Sequence, residues 1–216
     1  LNVPIAFWFV EDFRTLSYWK EIASYYDYFF TIQRGEFFDE FSSIGMNNFY
    51  YLAQGCLPGV HKEINLPLDD MHQYSADVSF MGAGYYNRVQ SFPRLLSHDF
   101  KIWGTEWVLE SDIGNRVQNK NKRVDQVDTV KIYNAGKVNL NLHSSTFHSG
   151  VNPVGDFVNP RTFEIAACGG FQLVDERSEL AELIEPGTEI ATFNSIDDLC
   201  EKVDYYLKHE NEAKSI

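Results

Sequence analysis

The chain has 216 residues, 44% hydrophobic and 15% aromatic, with a formal net charge of −13, enough for one large or two modest domains with a sizeable core. The acidic balance is spread along the sequence and argues against nucleic-acid backbones or anionic lipid as main partners, and no apolar run approaches the ~20 residues of a membrane span. Three scattered cysteines, Cys56, Cys168 and Cys200, fit a reducing, cytoplasmic compartment without a disulfide framework or zinc spacing.

No signal peptide is visible. The chain opens directly on an apolar, strand-like segment at residues 3–10 and reads as a piece of something longer. A helix pattern follows at 18–26, a strand at 28–32, a helix at 36–43 and a strand at 48–53. These strands are short and apolar without clean alternation, as expected of a parallel sheet covered on both faces. Residues 54–76 hold Gly55, Pro58, Gly59 and Pro67 and lack periodicity, the signature of a linker.

A second alternating series begins with a strand at 78–81 that runs into Gly82-Ala-Gly84. A helix is expected over 86–97, distorted at Pro93, then a strand at 100–103. Residues 105–127 are polar and poorly patterned. A helix at 128–135, a strand at 137–143, a strand at 171–174, a helix near 179–184 and a strand at 189–193 follow. The last helix starts from Ser195-Ile-Asp-Asp198, a capping-box pattern, with Ile196, Leu199, Val203 and Leu207 on one face. Two βαβ series imply an α/β protein of two Rossmann-like lobes. The reading places an incomplete lobe at 1–56, a linker at 57–76 and a complete lobe at 77–216.

The most informative stretch is Asn159-Pro-Arg-Thr-Phe-Glu-Ile-Ala-Ala-Cys-Gly169. Asn159 can cap a helix, Pro160 suits its first turn and Gly169 can close it. Such a helix start offers backbone N–H groups to an anion, and Arg161 adds a fixed charge. Glu164 lies one turn further in. An anion site with a carboxylate behind it suits a ligand carrying both phosphate and hydroxyls, as a nucleotide-sugar does. The same residues also admit plainer roles, with Glu164 a solvated helix glutamate and Arg161 paired to Asp156 or another acid.

The sequence resembles the glycosyltransferases of the two-lobe GT-B architecture, and among them the bacterial spore-maturation, spore-coat type. The resemblance rests on Trp8-Phe-Val-Glu-Asp12, Tyr26-Asp-Tyr-Phe-Phe30, Asp77-Val-Ser-Phe-Met-Gly82 with Arg88, Leu140-Asn-Leu-His143 and the Asn159–Gly169 stretch. It implies a transferase, retaining in stereochemistry, that needs no metal and no cofactor beyond its nucleotide-sugar substrate. It also implies a donor-binding second lobe and an acceptor-side first lobe. Many retaining members open this helix with a Glu-x7-Glu pattern, and here the pattern is Asp156-x7-Glu164. Candidate catalytic groups are Asp156 from that pattern and Asp12 after the first strand, orienting an acceptor or serving as a base. A third is His143, which ends a strand facing the crevice and would bond donor sugar or phosphate or else support the residues that do.

Candidate donor contacts are Glu164 for the ribose hydroxyls, and Arg161 with the amides of Phe157, Val158 and Asn159 for the diphosphate. Gly82 and Gly84 would allow close approach, Arg88 would reach a phosphate and Trp103 would stack on the base or lie in the core. A nucleotide-sugar epimerase of the same architecture and a non-catalytic binding module are the alternatives. The acceptor is a glycan, protein or small molecule of unknown identity.

Overall fold

A computed structural model describes residues 3–216; residues 1 and 2, assigned above to the first lobe, lie outside the described residues. The chain forms two compact units. One runs up to Gln54 and takes in Asp156–Val158; the other comprises Gly55–Gly155 and Asn159–Ile216.

The first unit alternates β1 (Ala6–Phe9), α1 (Trp19–Ile22), β2 (Tyr28–Thr31), α2 (Glu36–Ser43) and β3 (Phe49–Tyr51). Its three strands are parallel in the order β1-β2-β3, with Trp8 opposite Phe30 and Phe30 opposite Tyr50. Phe37 and Phe41 are one turn apart, so both fall on the buried side of α2. They join Phe9, Phe13, Trp19, Ala23 and Phe29 in an almost wholly aromatic core. The rings of Phe13 and Phe37 stack at 4.5 Å. The other sheet face carries Trp8, Tyr28 and Tyr50, all half-exposed.

The second unit begins with α3 (Leu68–Tyr74), inside the stretch read as a linker. Only Tyr74 of this helix is buried, so no apolar period marked it. Tertiary bonds hold it to α5 (Gln126–Ala135): Tyr74 Oη donates to Asp128 at 2.6 Å and Lys131 Nζ to Asp70 at 3.1 Å. Five parallel strands follow: β4 (Ala76–Met81), β5 (Phe100–Trp103), β6 (Gly136–Asn141), β7 (Gln172–Asp175) and β8 (Ala191–Phe193), in the order β5-β4-β6-β7-β8.

The expected helix after β4 is α4 (Tyr86–Ser91), which tightens at Phe92–Leu95 into a 3₁₀ turn containing Pro93. The expected helix near 179–184 is only a 3₁₀ turn at Leu180–Glu182. On one sheet face, Phe92 and Leu95 pack with Leu199 and Val203 of α7 (Ile196–Lys208) against Val78, Phe80, Val138 and Leu140. On the other, Tyr74, Val130, Ile132 and Tyr133 pack with Ile165 of α6 (Pro160–Ala167) and Trp103. A short α8 (Glu210–Ala213) follows. Among the described residues no helix is long and apolar enough to cross a membrane.

This strand order reverses direction between β4 and β6, and such a reversal opens a crevice at the carboxyl ends of the two strands. Gly82 and Gly104 lie at neighbouring strand ends there. Gly104 has φ +137°, and a Cβ on it would sit 2.1 Å from the Gly82 carbonyl oxygen. Gly104→Ala is expected to destabilise the chain by ~2–4 kcal/mol through strain and steric clash. Gly59, whose surroundings are open, should tolerate alanine within ~0.5 kcal/mol. Urea unfolding followed by tryptophan fluorescence compares the two, and equal losses would contradict this account of Gly104.

Candidate functional site

The carboxyl ends of β6 and β7 carry a buried polar chain. Asp175 is fully buried and accepts three hydrogen bonds. Its Oδ1 takes the His143 backbone N–H and ring Nδ1, each at 2.7 Å, and its Oδ2 takes Arg177 Nη2 at 2.6 Å. On the far side of the ring, His143 Nε2 accepts the Asn159 N–H at 2.9 Å. An amide can only donate, so Nε2 is the bare nitrogen and the proton rides on Nδ1. Burial, with Arg177 and Arg161 nearby, outweighs the Asp175 charge and pushes the imidazole down to about 4. Burial alone would raise the Asp175 carboxyl, but His143 and Arg177 hold it well below the ordinary range.

His143 is therefore a neutral fastener that ties the entry of α6 to β7. Both ring nitrogens are engaged within the protein, which fits the expected supporting role of His143 rather than direct contact with a ligand.

Asn141, the last residue of β6, organises the helix start. Its Oδ1 accepts from Asn159 Nδ2 and Arg161 Nη1, both at 2.9 Å. Its Nδ2 donates to Thr162 Oγ1 at 2.9 Å. Asn159 caps α6 by accepting the Thr162 N–H, and Gly169 follows the helix at φ +67°. The Arg161 guanidinium sits 5.1 Å from the Phe80 ring centre, its Nε buried without a partner. A Cβ on Gly82 would lie 2.8 Å from Arg161 Nη2. The close approach expected at Gly82 is thus made by this guanidinium. At Gly84 the approach is made by the Glu106 carbonyl, 2.5 Å from where a Cβ would stand.

Other expectations move. Arg88 is only 3% exposed. Its Nε and Nη2 donate to the Leu142 carbonyl at 3.1 and 2.8 Å, and its Nη1 to the Ala83 carbonyl at 2.9 Å. It clamps the loops after β4 and β6 rather than extending toward a phosphate, and burial with Arg161 nearby pushes its pKa well below the ordinary value. Trp103 is 4% exposed and packs near Tyr74, a core residue rather than a platform for a base. The amide cradle is narrower than expected. Asn159 N–H goes to His143, Phe157 N–H goes to its own Asp156 Oδ1 at 2.8 Å, and Val158 is buried.

Glu164 keeps 21% of its side chain exposed. Its Oε2 accepts from the buried Tyr133 hydroxyl at 3.4 Å, and its Oε1 lies 3.9 Å from His61 Nε2. Among the described residues it forms no ion pair with an arginine, and its part-exposure keeps it out of the apolar interior.

Within the first unit, Asp12 and Asp156 are brought onto the same two donors. Arg14 Nη2 donates to Asp156 at 2.9 Å, and Arg14 Nη1 lies 3.4 Å from Asp12. The fully buried Gln33 donates through Nε2 to Asp156 at 3.1 Å and reaches Asp12 at 3.5 Å. Burial pushes the Asp156 carboxyl up, but these bonds and the Phe157 N–H outweigh it and leave it below its ordinary value. The arginine that pairs with Asp156 is Arg14.

Sequence reasoning missed Asp175, Arg177, Arg14, Gln33, Tyr133 and His61, whose roles arise from strand adjacency rather than local pattern. One signal was available for Asp175: a charged residue closing an otherwise apolar strand at the end where ligands bind.

These features belong to the α/β class built on open parallel sheets, with a crevice at a topological switch point. The chain belongs to the glycosyl transferase-like family, whose pattern matches residues 87–216. It is 25% identical over 227 residues to the spore protein CgeB of Bacillus subtilis (strain 168), covering 99% of this chain and 67% of that one.

Among solved structures it resembles Anabaena Alr3699/HepE in complex with UDP-glucose (TM-score 0.67, 13% identity, 98% of this chain and 65% of that one). It also resembles the α,α-trehalose 6-phosphate synthase of Burkholderia multivorans (0.61, 15%, 98% and 60%). A third is the sucrose-phosphate synthase of Thermosynechococcus elongatus (0.60, 13%, 95% and 55%). The architecture is that of the GT-B glycosyltransferases, and the chain spans 55–65% of the length of these three structures.

The neutral His143 makes stability pH-dependent. Its folded pKa of about 4 lies below the ~6.5 of an unfolded chain. The unfolded state therefore binds the extra proton first, and stability erodes as pH falls from ~6.5 toward 4, by at most ~1.4 kcal/mol per unit. The depressed Asp175 carboxyl adds a further loss below ~3.9. Urea unfolding at pH 7, 6, 5 and 4 is expected to show this decline in the wild type and a shallower one in His143→Gln. Parallel profiles would contradict it.

Proposed function

We propose that this chain is the donor-gripping part of a glycosyltransferase that moves a sugar from a nucleotide-sugar to an acceptor, with no metal ion or other cofactor. One observation carries the reading. Three guanidinium groups (Arg88, Arg161 and Arg177) act on the buried Asp175 carboxylate and a neutral imidazole at the strand ends. Arg177 pairs with Asp175 and Arg88 is spent on carbonyls. Among the described residues, the hydrogen-bond partner of Arg161 is the neutral Asn141 amide, and its Nε is buried without one. An excess of partly desolvated positive charge calls for an anion. A diphosphate there would be bound, and the charge that develops on a departing nucleoside diphosphate would be stabilised.

Glu164 supports the second half of the reading. A part-exposed carboxylate one turn inside α6 can accept the vicinal hydroxyls of a ribose, each such charged bond worth ~1.5–3 kcal/mol. The solved neighbour bound to UDP-glucose makes uridine diphosphate and its sugars the first compounds to try. Asp156 and Asp12 are the remaining candidates for chemistry near the transferred sugar. On this reading the first unit is assigned to the acceptor side, and retaining stereochemistry and a cytoplasmic location carry over from the sequence resemblance.

A thermal-shift panel of nucleoside diphosphates and nucleotide-sugars tests the reading. A compound present at ~100 times its dissociation constant should add ~2.7 kcal/mol of stability. Arg161→Ala is expected to weaken diphosphate binding at least ~tenfold while leaving nucleoside binding nearly unchanged. Glu164→Ala should weaken both. Chelation with EDTA should leave binding and transfer as they were. A panel in which no nucleotide shifts the wild type would overturn the proposal.

A further inference from the structure

We infer that His61 and Tyr133 are positioning residues that set the Glu164 carboxylate to receive a ribose diol. The inference rests on the reading of Glu164 as the ribose acceptor and adds two residues to it. His61 lies in the turn that precedes α3 and is only 7% exposed. Its Nδ1 accepts the Leu57 N–H at 3.1 Å, so in the neutral ring the proton is carried by Nε2. That Nε2 stands 3.9 Å from Glu164 Oε1. The distance is longer than a hydrogen bond, and a shift of under ~1 Å brings it into range.

Tyr133 reaches the other oxygen from the core. It is fully buried, and its hydroxyl donates to Oε2 at 3.4 Å. Burial, together with the Glu164 charge, keeps the phenol protonated and hence a donor. Each carboxylate oxygen thus faces one buried donor on the protein side. An ionised carboxylate offers about four acceptor positions, so two remain for incoming hydroxyls, the number a ribose presents on adjacent carbons. A glutamate that merely solvated a helix surface would have no use for a buried imidazole and a buried phenol at its two oxygens. Because the Nδ1 bond to Leu57 fixes the ring, His61 acts on ligand recognition through Glu164 without touching the ligand.

The discriminating quantity is the preference for a ribonucleotide over its 2′-deoxy counterpart, which a general loss of stability does not change. Titration calorimetry on the 216-residue chain would compare UDP with 2′-deoxy-UDP, and GDP with 2′-deoxy-GDP. The wild type is expected to favour the ribonucleotide about tenfold, the value of one charge-assisted hydrogen bond. His61→Ala should reduce that ratio to within about threefold, and His61→Gln, whose Nε2 can replace the imidazole Nε2–H, should retain it. Tyr133→Phe, which leaves the turn intact, should lower the ratio by about threefold. Inorganic pyrophosphate should bind all four proteins alike.

An unchanged ratio in His61→Ala or in Tyr133→Phe overturns the inference while leaving Glu164 as the acceptor. Loss of the ratio in a stably folded His61→Gln also overturns it, because the donor is then not what matters. A wild type that binds diphosphates without preferring ribose removes the Glu164 reading itself, and the inference with it.

Discussion

The buried carboxylate of Asp175 is what allows a positively charged site to exist at all. Burying an ion without a partner is costly, and removing one member of a buried pair typically costs ~3–5 kcal/mol. Asp175 neutralises Arg177 and orients His143 with the same two oxygens. Carbonyl dipoles from Leu142 and Ala83 absorb Arg88. Arg161, by contrast, is met by the neutral Asn141 amide and the face of Phe80. The chain as a whole carries −13, so this spot inverts the sign of its surroundings. A strongly acidic surface repels extended polyanions, while a recessed cationic point still attracts a compact anion. That combination fits a small phosphorylated ligand better than a nucleic acid.

Strand register does the placing. Asn141 pairs with Val174 across β6 and β7, which sets Asp175 beside the residues that leave β6. The chain then takes a long excursion before re-entering as α6, and a loop of that length would ordinarily sample many shapes. Several bonds restrict it. Asn87, the second residue of α4, donates to the carbonyls of His143 and Gly150 and accepts the Ser145 N–H. Ser91 Oγ holds the Ser149 carbonyl at 3.0 Å, and His143 holds the Asn159 amide. The position of Arg161 is thereby a consequence of β-sheet geometry carried through hydrogen bonds, not of helix propensity alone.

What could be read from the sequence follows from how local each signal is. The start and stop of α6 were legible because Asn159, Pro160 and Gly169 act on their own backbone within a turn. The capping of α7 by Ser195 was legible for the same reason. The parallel character of both sheets came through in the apolar strands, even in the first unit, where Trp8, Tyr28 and Tyr50 stand half-exposed. Arg88 and Trp103 were misjudged because their fate depends on what packs over them, and sequence neighbours carry no such information. The helix α3 went unseen because its stability comes from Asp128 and Lys131 on another helix. His61 had no spacing to recommend it, since its one distinguishing contact lies 103 residues away, on Glu164.

The same geometry bears on how a bond could be broken. Proton transfer needs a group with a free site and a pKa near the working pH. His143 offers neither, since Asp175 and the Asn159 amide take its two nitrogens and its pKa lies at about 4. Asp156 and Asp12 share Arg14 and Gln33, and those bonds hold the Asp156 carboxyl in its ionised form. Groups held in this way are poor at general acid catalysis and good at holding charge. Loss of a nucleoside diphosphate is a reaction that needs the second more than the first. The departing group takes up negative charge without requiring a proton, so fixed donors aimed at it lower the barrier directly. On the proposed reading, the buried cations of the second unit would serve the departure of a nucleoside diphosphate rather than proton transfer.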